Sequence, residues 1–359
     1  MALFFDNECI ILYSKRVSKC IINIRVSIDK MNEIGNKIRL SVSWDNDENF
    51  VFLTIRGLKK GEPFAAAEFL ERLNAPYLGM KELNLDARAK EEPKILSGVK
   101  GDCLTGEPLS AILVRPQALS KAEGALMPGT VDLACYLSDS PEKAASSGVA
   151  DEAFVFAGTL AEMFLERRGV EIQVRFLQMG ESKAEAFSVD MKKEILEARG
   201  VGDSVGSKLC FTVSGLAPGL GDTVFGGVEA HISSMIMSVG GVKGIEFGKG
   251  FDFVPMRGSE ANDSIVIKDG KPATLNNFSG GVDDGLTNGS DLELCCALRP
   301  SPYINREQRT VETGKMREVS IRLKGRVEAS LGPRKSRVIK GALALALLDL
   351  IKMSEEEND

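Results

Sequence analysis

His231 is the only imidazole in 359 residues, so acid–base chemistry near neutral pH has one natural candidate. It precedes Ser233 and Ser234 on a stretch of helical period, without the strained elbow that presents a nucleophilic serine. A Ser-His-Asp triad is therefore the weaker reading, and a packed histidine at the flank of an apolar face the stronger one. Cysteines stand at positions 9, 20, 103, 135, 210, 295 and 296, with no C-x-x-C pair, so no zinc template can be written. An odd, scattered set reads as reduced thiols of a cytoplasmic protein. Cys295 and Cys296, adjacent on a predicted strand, point to opposite faces and cannot chelate together. The glycine-rich stretch FSGGVDDGLTNG, residues 278–289, must bend sharply and bring its backbone close to something. A phosphate cradle would suit the glycines, but Asp283 and Asp284 would repel an anion. GLGD at 219–222 lacks the preceding strand and third glycine of a dinucleotide fingerprint.

Those residues sit in an acidic chain, net charge −6 and pI near 5.3, with one Trp and four Tyr. That balance argues against nucleic acid, which needs excess Lys and Arg or stacking aromatics. An apolar content of 43% supports a substantial core. The longest apolar run, from Gly341, is too short to cross a bilayer and carries Asp349, so it reads as a buried helix and no membrane partner is expected. Residues 1–30 show no clear period and no signal-peptide order. They read as an N-terminal extension, or a start set too far upstream, ahead of one domain over 31–359. The acidic end SEEEND reads as a solvated tail.

Strand patterns at 38–44 and 49–57 form a predicted hairpin, followed by a helix whose face is Ala66, Phe69, Leu70 and Leu73. Further strands are predicted near 95–99 and 109–116. A helix capped by Asp151 shows Phe156, Leu160, Met163 and Phe164 on one face and stops at Gly169. A strand at 170–180 follows. The second half repeats this grammar: strands near 208–216, 244–251, 292–300 and 319–326, a helix over 227–241, and a closing helix from about Ser336 to Met353. Recurrence in both halves implies an internally duplicated fold.

Several phrases carry a resemblance. SGLAPGLGDTVF (214–225), MSVGGVKGIEFGKGF (237–251), RGSEANDS (257–264), NNFSGGVDDGLTNG (276–289) and LRPSPYI (298–304) occur in the order and spacing of chorismate synthase. NEIGNKIRLSVSW (32–44), KILSGVKGDCLTGEPL (94–109) and MPGTVD (127–132) extend it to the first half. The resemblance implies an α+β fold, a β-α-β sandwich with two antiparallel sheets flanking a helical layer, in a homotetramer. It also implies a phosphorylated small-molecule substrate, 5-enolpyruvylshikimate 3-phosphate, converted to chorismate with reduced FMN through two histidines, an Arg-His-Asp segment and surrounding arginines.

This sequence departs from that pattern where the chemistry lies. The first histidine position holds Asp47 and the second Thr130; the Arg-His-Asp segment reads Pro333, Arg334, Lys335. A serine-rich element keeps only Ser146 and Ser147, and the arginine triplet reads Ala75, Pro76, Tyr77. Ser234 and Ala261 stand at two further histidine positions. The implied flavin positions are Ser146, Ser147, Gly240, Gly241, Asp284, Gly285, Arg299, Pro300, Ser301, Pro302 and Tyr303; the basic positions kept are Arg39, Lys243 and Arg257, with Arg334 as a second substrate-anion candidate. No register supplies two histidines from a chain that has one. An added carboxylate beside a phosphate, at roughly 4 Å and an effective dielectric of about 20, costs on the order of 4 kcal/mol. The expectation is a degenerate paralogue with little or no family activity. The alternatives are a divergent but working enzyme and a ligand-binding or assembly protein on the same scaffold.

Overall fold

The computed structural model describes residues 32–45, 50–77, 92–114, 124–140, 148–325 and 328–357, and the backbone of 2–6, 9–13 and 24–27. Two five-stranded antiparallel sheets enclose a layer of helices. The first sheet runs in the order β4 (Asn32–Ile34), β5 (Arg39–Asp45), β6 (Phe50–Arg56), β10 (Leu109–Val114), β7 (Lys94–Ser97). The second runs β12 (Ser182–Lys183), β11 (Glu171–Met179), β13 (Ser207–Ser214), β19 (Leu292–Leu298), β14 (Val242–Phe247). Small hairpins decorate them: β8 (Val99–Lys100) with β9 (Cys103–Leu104), β15 (Ile265–Lys268) with β16 (Lys271–Thr274), β17 (Val282–Asp283) with β18 (Leu286–Thr287), and β20 (Gln308–Glu312) with β21 (Arg317–Ile321). Residues of the 1–30 segment, read as lacking a period, form a three-stranded sheet of β1 (Ala2–Asp6), β2 (Cys9–Tyr13) and β3 (Ile24–Ser27).

The helices are α1 (Ala66–Leu73), α2 (Asp132–Leu137), α3 (Val149–Glu166), α4 (Val189–Gly200), α5 (Val228–Met237), α6 (Gly258–Ala261) and α7 (Gly332–Glu357). α3 is apolar almost all round and buried from Asp151 to Ala161 on every face, as a helix between two sheets must be. Phe69 of α1 meets Phe156 of α3 edge-on, ring centroids 4.9 Å apart. The helix expected to start at a capping Asp151 starts at Val149 instead, after Gly148, and Asp151 lies buried inside its first turn. The closing helix begins four residues before the expected Ser336, because Gly332 packs against Phe176 and Met179 of β11. α4 was not anticipated; its signal is Ser188, whose side chain accepts from the Met191 amide.

α3 and α7 cross where neither carries a side chain. A Cβ on Gly158 would stand 2.1 Å from the Gly341 Cα, and one on Gly341 would stand 2.3 Å from the Phe154 carbonyl oxygen. The crossing is thus as close as two backbones allow. Asp349, on the same helix, is fully buried. Its carboxylate accepts from the amides of Asn36, Lys37 and Ile38 at 2.7, 2.6 and 2.6 Å, tying the turn before β5 to α7. The aspartate that interrupts the apolar run is therefore a structural anion, satisfied by backbone.

One cysteine expectation is corrected. Cys210 and Cys295 are direct partners in the β13–β19 register, with Cα atoms 4.0 Å apart, and form a disulfide. Strand register, which brings them face to face, is not readable from their separation of 85 residues. Cys296 points the other way, as alternation requires, and burial pushes its thiol up to about 12. Among the described residues no helix is long and apolar enough to cross a membrane.

Gly341→Ala is expected to destabilise the fold by about 2–3 kcal/mol by forcing α3 and α7 apart; urea unfolding measures this, and an unchanged midpoint would contradict the crossing. Burial alone would push the Asp349 carboxyl up, but the His231 imidazole and the three amides outweigh it and hold it below its usual value. Its stabilisation is therefore complete above the unfolded-state value of about 4 and is lost as pH falls through the lower folded value. Asp349→Asn is expected to cost about 3 kcal/mol at pH 7 and to flatten the acid limb of stability. An acid limb identical to that of the parent protein would refute the assignment.

Candidate functional site

The implied site residues sort themselves by position along α5 and α7, which run antiparallel. His231, early in α5, faces Asp349 late in α7, while Gly240, just past α5, faces Lys335 in the first turn of α7. The fourteen residues between Lys335 and Asp349 span about 21 Å at 1.5 Å per residue. The candidates thus fall at two separate ends.

At the α7 N-terminal end stand Thr130, Gly240, Gly241, Arg299, Pro300, Ser301, Pro302, Tyr303, Arg334 and Lys335. Lys335 is 4% exposed, and its ammonium donates to both carboxylate oxygens of Asp151 at 2.7 and 2.6 Å. Burial pushes its pKa down, and the Asp151 charge offsets part of that cost. Arg334 donates from Nε and Nη2 to Glu328 at 2.8 and 3.3 Å, and from Nη1 to Asp151 at 3.0 Å. Arg299 donates from Nη1 to the Gly129 carbonyl at 2.6 Å and from Nε to the Pro300 carbonyl at 3.2 Å. Its amide donates to the Gly241 carbonyl at 3.0 Å, and Pro302 packs against Gly129. Thr130 closes its own turn: its hydroxyl donates to the Met127 carbonyl at 2.8 Å and accepts from the Asp132 amide at 3.2 Å. Ser301 is buried, its hydroxyl accepting from the Tyr303 amide at 3.3 Å. Burial first, then the Asp132 charge, pushes the Tyr303 phenol up, against the pull of Arg334.

At the other end lie Asp284, Gly285 and His231. Asp284 and Gly285 form the two-residue turn of the β17–β18 hairpin, with φ of +48° and +87°. Both positive values mark a type I′ turn, for which Asp-Gly is a favoured pair. The glycines meet this chain's own backbone: a Cβ on Gly281 would stand 2.5 Å from the Asp291 carbonyl oxygen, and one on Gly285 would stand 2.5 Å from that of Asp222. Glu229, in the first turn of α5, has its carboxyl pushed up by burial and then by Asp283 and Asp284. His231 Nε2 faces Asp349 Oδ2 at 3.1 Å.

Arg39 belongs to neither group. It is exposed and pairs with Glu33 at 3.3 Å, one residue beyond the Ile38 amide held by Asp349, and therefore far from Arg334. Asp47, Ser146 and Ser147 lie outside the described residues. The carboxylates that hold the cations, Asp151 and Glu328, were absent from the sequence-derived site. Glu328 had a signal: Arg326, Val327, Glu328 keeps the arginine and the acid of an Arg-His-Asp pattern, and matches it better than Pro333, Arg334, Lys335.

Reduced FMN and a phosphorylated substrate both need unengaged donors for their oxyanions. At the α7 end Lys335 and Arg334 face carboxylates and Arg299 holds carbonyls. At the α5 end Glu229, Asp283 and Asp284 face one another. Among the described residues, these side chains at both ends are engaged within the chain.

Comparison with known proteins places the whole architecture. The chorismate synthase family model matches residues 45–351. The chain is 30% identical over 342 residues to the chorismate synthase of Thermococcus kodakarensis, covering 88% of this chain and 96% of that one. It is 30% identical over 352 residues to that of Archaeoglobus fulgidus, covering 90% and 98%. A crystal structure of chorismate synthase superposes with a TM-score of 0.68 at 18% identity, over 89% of this chain and 93% of that one. With its fold, its ordered motifs and these matches in agreement, the chain belongs to the chorismate synthase family.

Proposed function

We propose that this chain has left the family reaction behind and acts as a binding or assembly protein on the family scaffold. The observation that carries this reading is the engagement of Lys335 and Arg334 by Asp151 and Glu328. A departing phosphate requires a proton donor or free positive charge close by. Among the described residues at the α7 end, Lys335 and Arg334 are paired with carboxylates and Arg299 with carbonyls, and the chain's one imidazole lies at the opposite end beside Asp349. Arg334, whose pKa is raised by its carboxylate partners, holds its charge near neutral pH, and the buried Lys335 ammonium is bonded to Asp151, so neither is placed to replace a missing imidazole. An assembly role is supported by Phe225, Phe251 and Val254, which are 93%, 80% and 83% exposed in the isolated chain, as interface residues would be.

Two measurements test it. Purified protein given 5-enolpyruvylshikimate 3-phosphate and reduced FMN without oxygen is expected to yield no chorismate above the protein-free control. Robust turnover would overturn the proposal in favour of a divergent working enzyme. Asp151→Ala, which leaves Lys335 buried without its counter-ion, is expected to cost about 3–5 kcal/mol in urea unfolding. A cost below about 1 kcal/mol would mean that the pair does not hold the site together.

A further inference from the structure

A cavity of about 560 Å³ lies between the C-terminus of α4 and the segment after β21, next to the 299–303 segment. Arg199, Gly200, Val201, Gly202, Asn305, Arg322 and Gly325 line it. Arg322 is oriented by its Nε, which donates to the Asn305 carbonyl at 2.9 Å and to Oδ1 at 3.3 Å, so both Nη groups stay available. Arg199 makes no side-chain hydrogen bond or ion pair among the described residues. The neighbouring acids are engaged elsewhere: Asp203 pairs with Arg306 at 3.1 Å, and Glu197 lies 3.8 Å from Lys193. In a chain of net charge −6, this is a locally positive hollow with unengaged donors.

Its glycines point the same way. Gly200 closes a helix, where alanine would be more stable by about 1 kcal/mol, yet a Cβ there would meet nothing within 4 Å. Gly325 also faces open space, with φ of +121°. The positive φ calls for glycine at 325, while at 200 neither packing nor backbone conformation does. Open backbone beside two guanidinium groups is the surface that an oxyanion approaches. The geometry points to a binding site for the phosphate group of a small molecule, held between Arg199 and Arg322. Phosphate is favoured over carboxylate because two guanidinium groups offer more N–H donors than two oxygens accept. The volume suits a small phosphorylated metabolite. This site shares no residue with the one described above, so it stands whether or not the family reaction is lost.

The test is calorimetric titration of the full chain with inorganic phosphate at fixed ionic strength, with malonate as the carboxylate arm. The parent protein is expected to bind phosphate saturably, and Arg199→Ala and Arg322→Ala are each expected to weaken it about tenfold, the loss of one charge-assisted contact. Amide chemical shifts of Gly200, Gly202 and Gly325 are expected to move with phosphate, which locates the site without any variant. Absence of saturable binding, equal affinity in both arginine variants and the parent, binding of malonate alone, or unmoved glycine amides would each overturn the assignment.

Discussion

Gly158 and Gly341 set the distance between α3 and α7, and everything that positions the site follows from that distance. With no Cβ at the crossing, the two helices meet backbone to backbone and form a thin layer that both five-stranded sheets can cover. The same approach puts Asp151 of α3 within bonding distance of Lys335 and Arg334 in the first turn of α7. A wider crossing would leave room between those charges for solvent or a ligand. The crossing allows a direct ion pair instead.

Charge then decides what the site can do. A buried ammonium needs a partner, and either the chain or a ligand can supply the anion. Here the chain supplies it, through Asp151 for Lys335 and through Glu328 and Asp151 for Arg334. At the far end the pattern is complementary: Asp349 is an anion satisfied by three amides and faced by the His231 imidazole, while Glu229, Asp283 and Asp284 form an acidic rim at the start of α5. Among the described residues, the α7 end pairs its buried cations with carboxylates and the α5 end is acidic.

Much of the fold was legible. The strands read at 38–44 and 49–57, the apolar α3 and the apolar closing helix lie where the pattern put them; of the face read for α1, Phe69 and Leu73 are buried while Ala66 and Leu70 are exposed, and β6 is buried continuously from Val51 to Ile55. The hairpin turn at Asp284–Gly285 was also written in the sequence, as an Asp-Gly pair that demands positive φ. The glycines around it make way for the carbonyls of Asp222 and Asp291. What could not be read was long-range: the Cys210–Cys295 pairing depends on register, and Asp151, which looks like a helix cap, becomes a counter-ion only once α7 is packed beside it. The sequence-derived site was a set of positions, and the structure divides it between two ends about 21 Å apart.

The pairing of Lys335 and Arg334 with Asp151 and Glu328 leaves these two cations engaged before any anionic cofactor arrives. The most direct measurement is an oxygen-free titration of the protein with reduced FMN, followed by the change in flavin absorbance. No saturable binding is expected at any accessible protein concentration. Saturable, stoichiometric binding would show that Lys335, Arg334 and Arg299 can be released to a ligand, and would contradict this account.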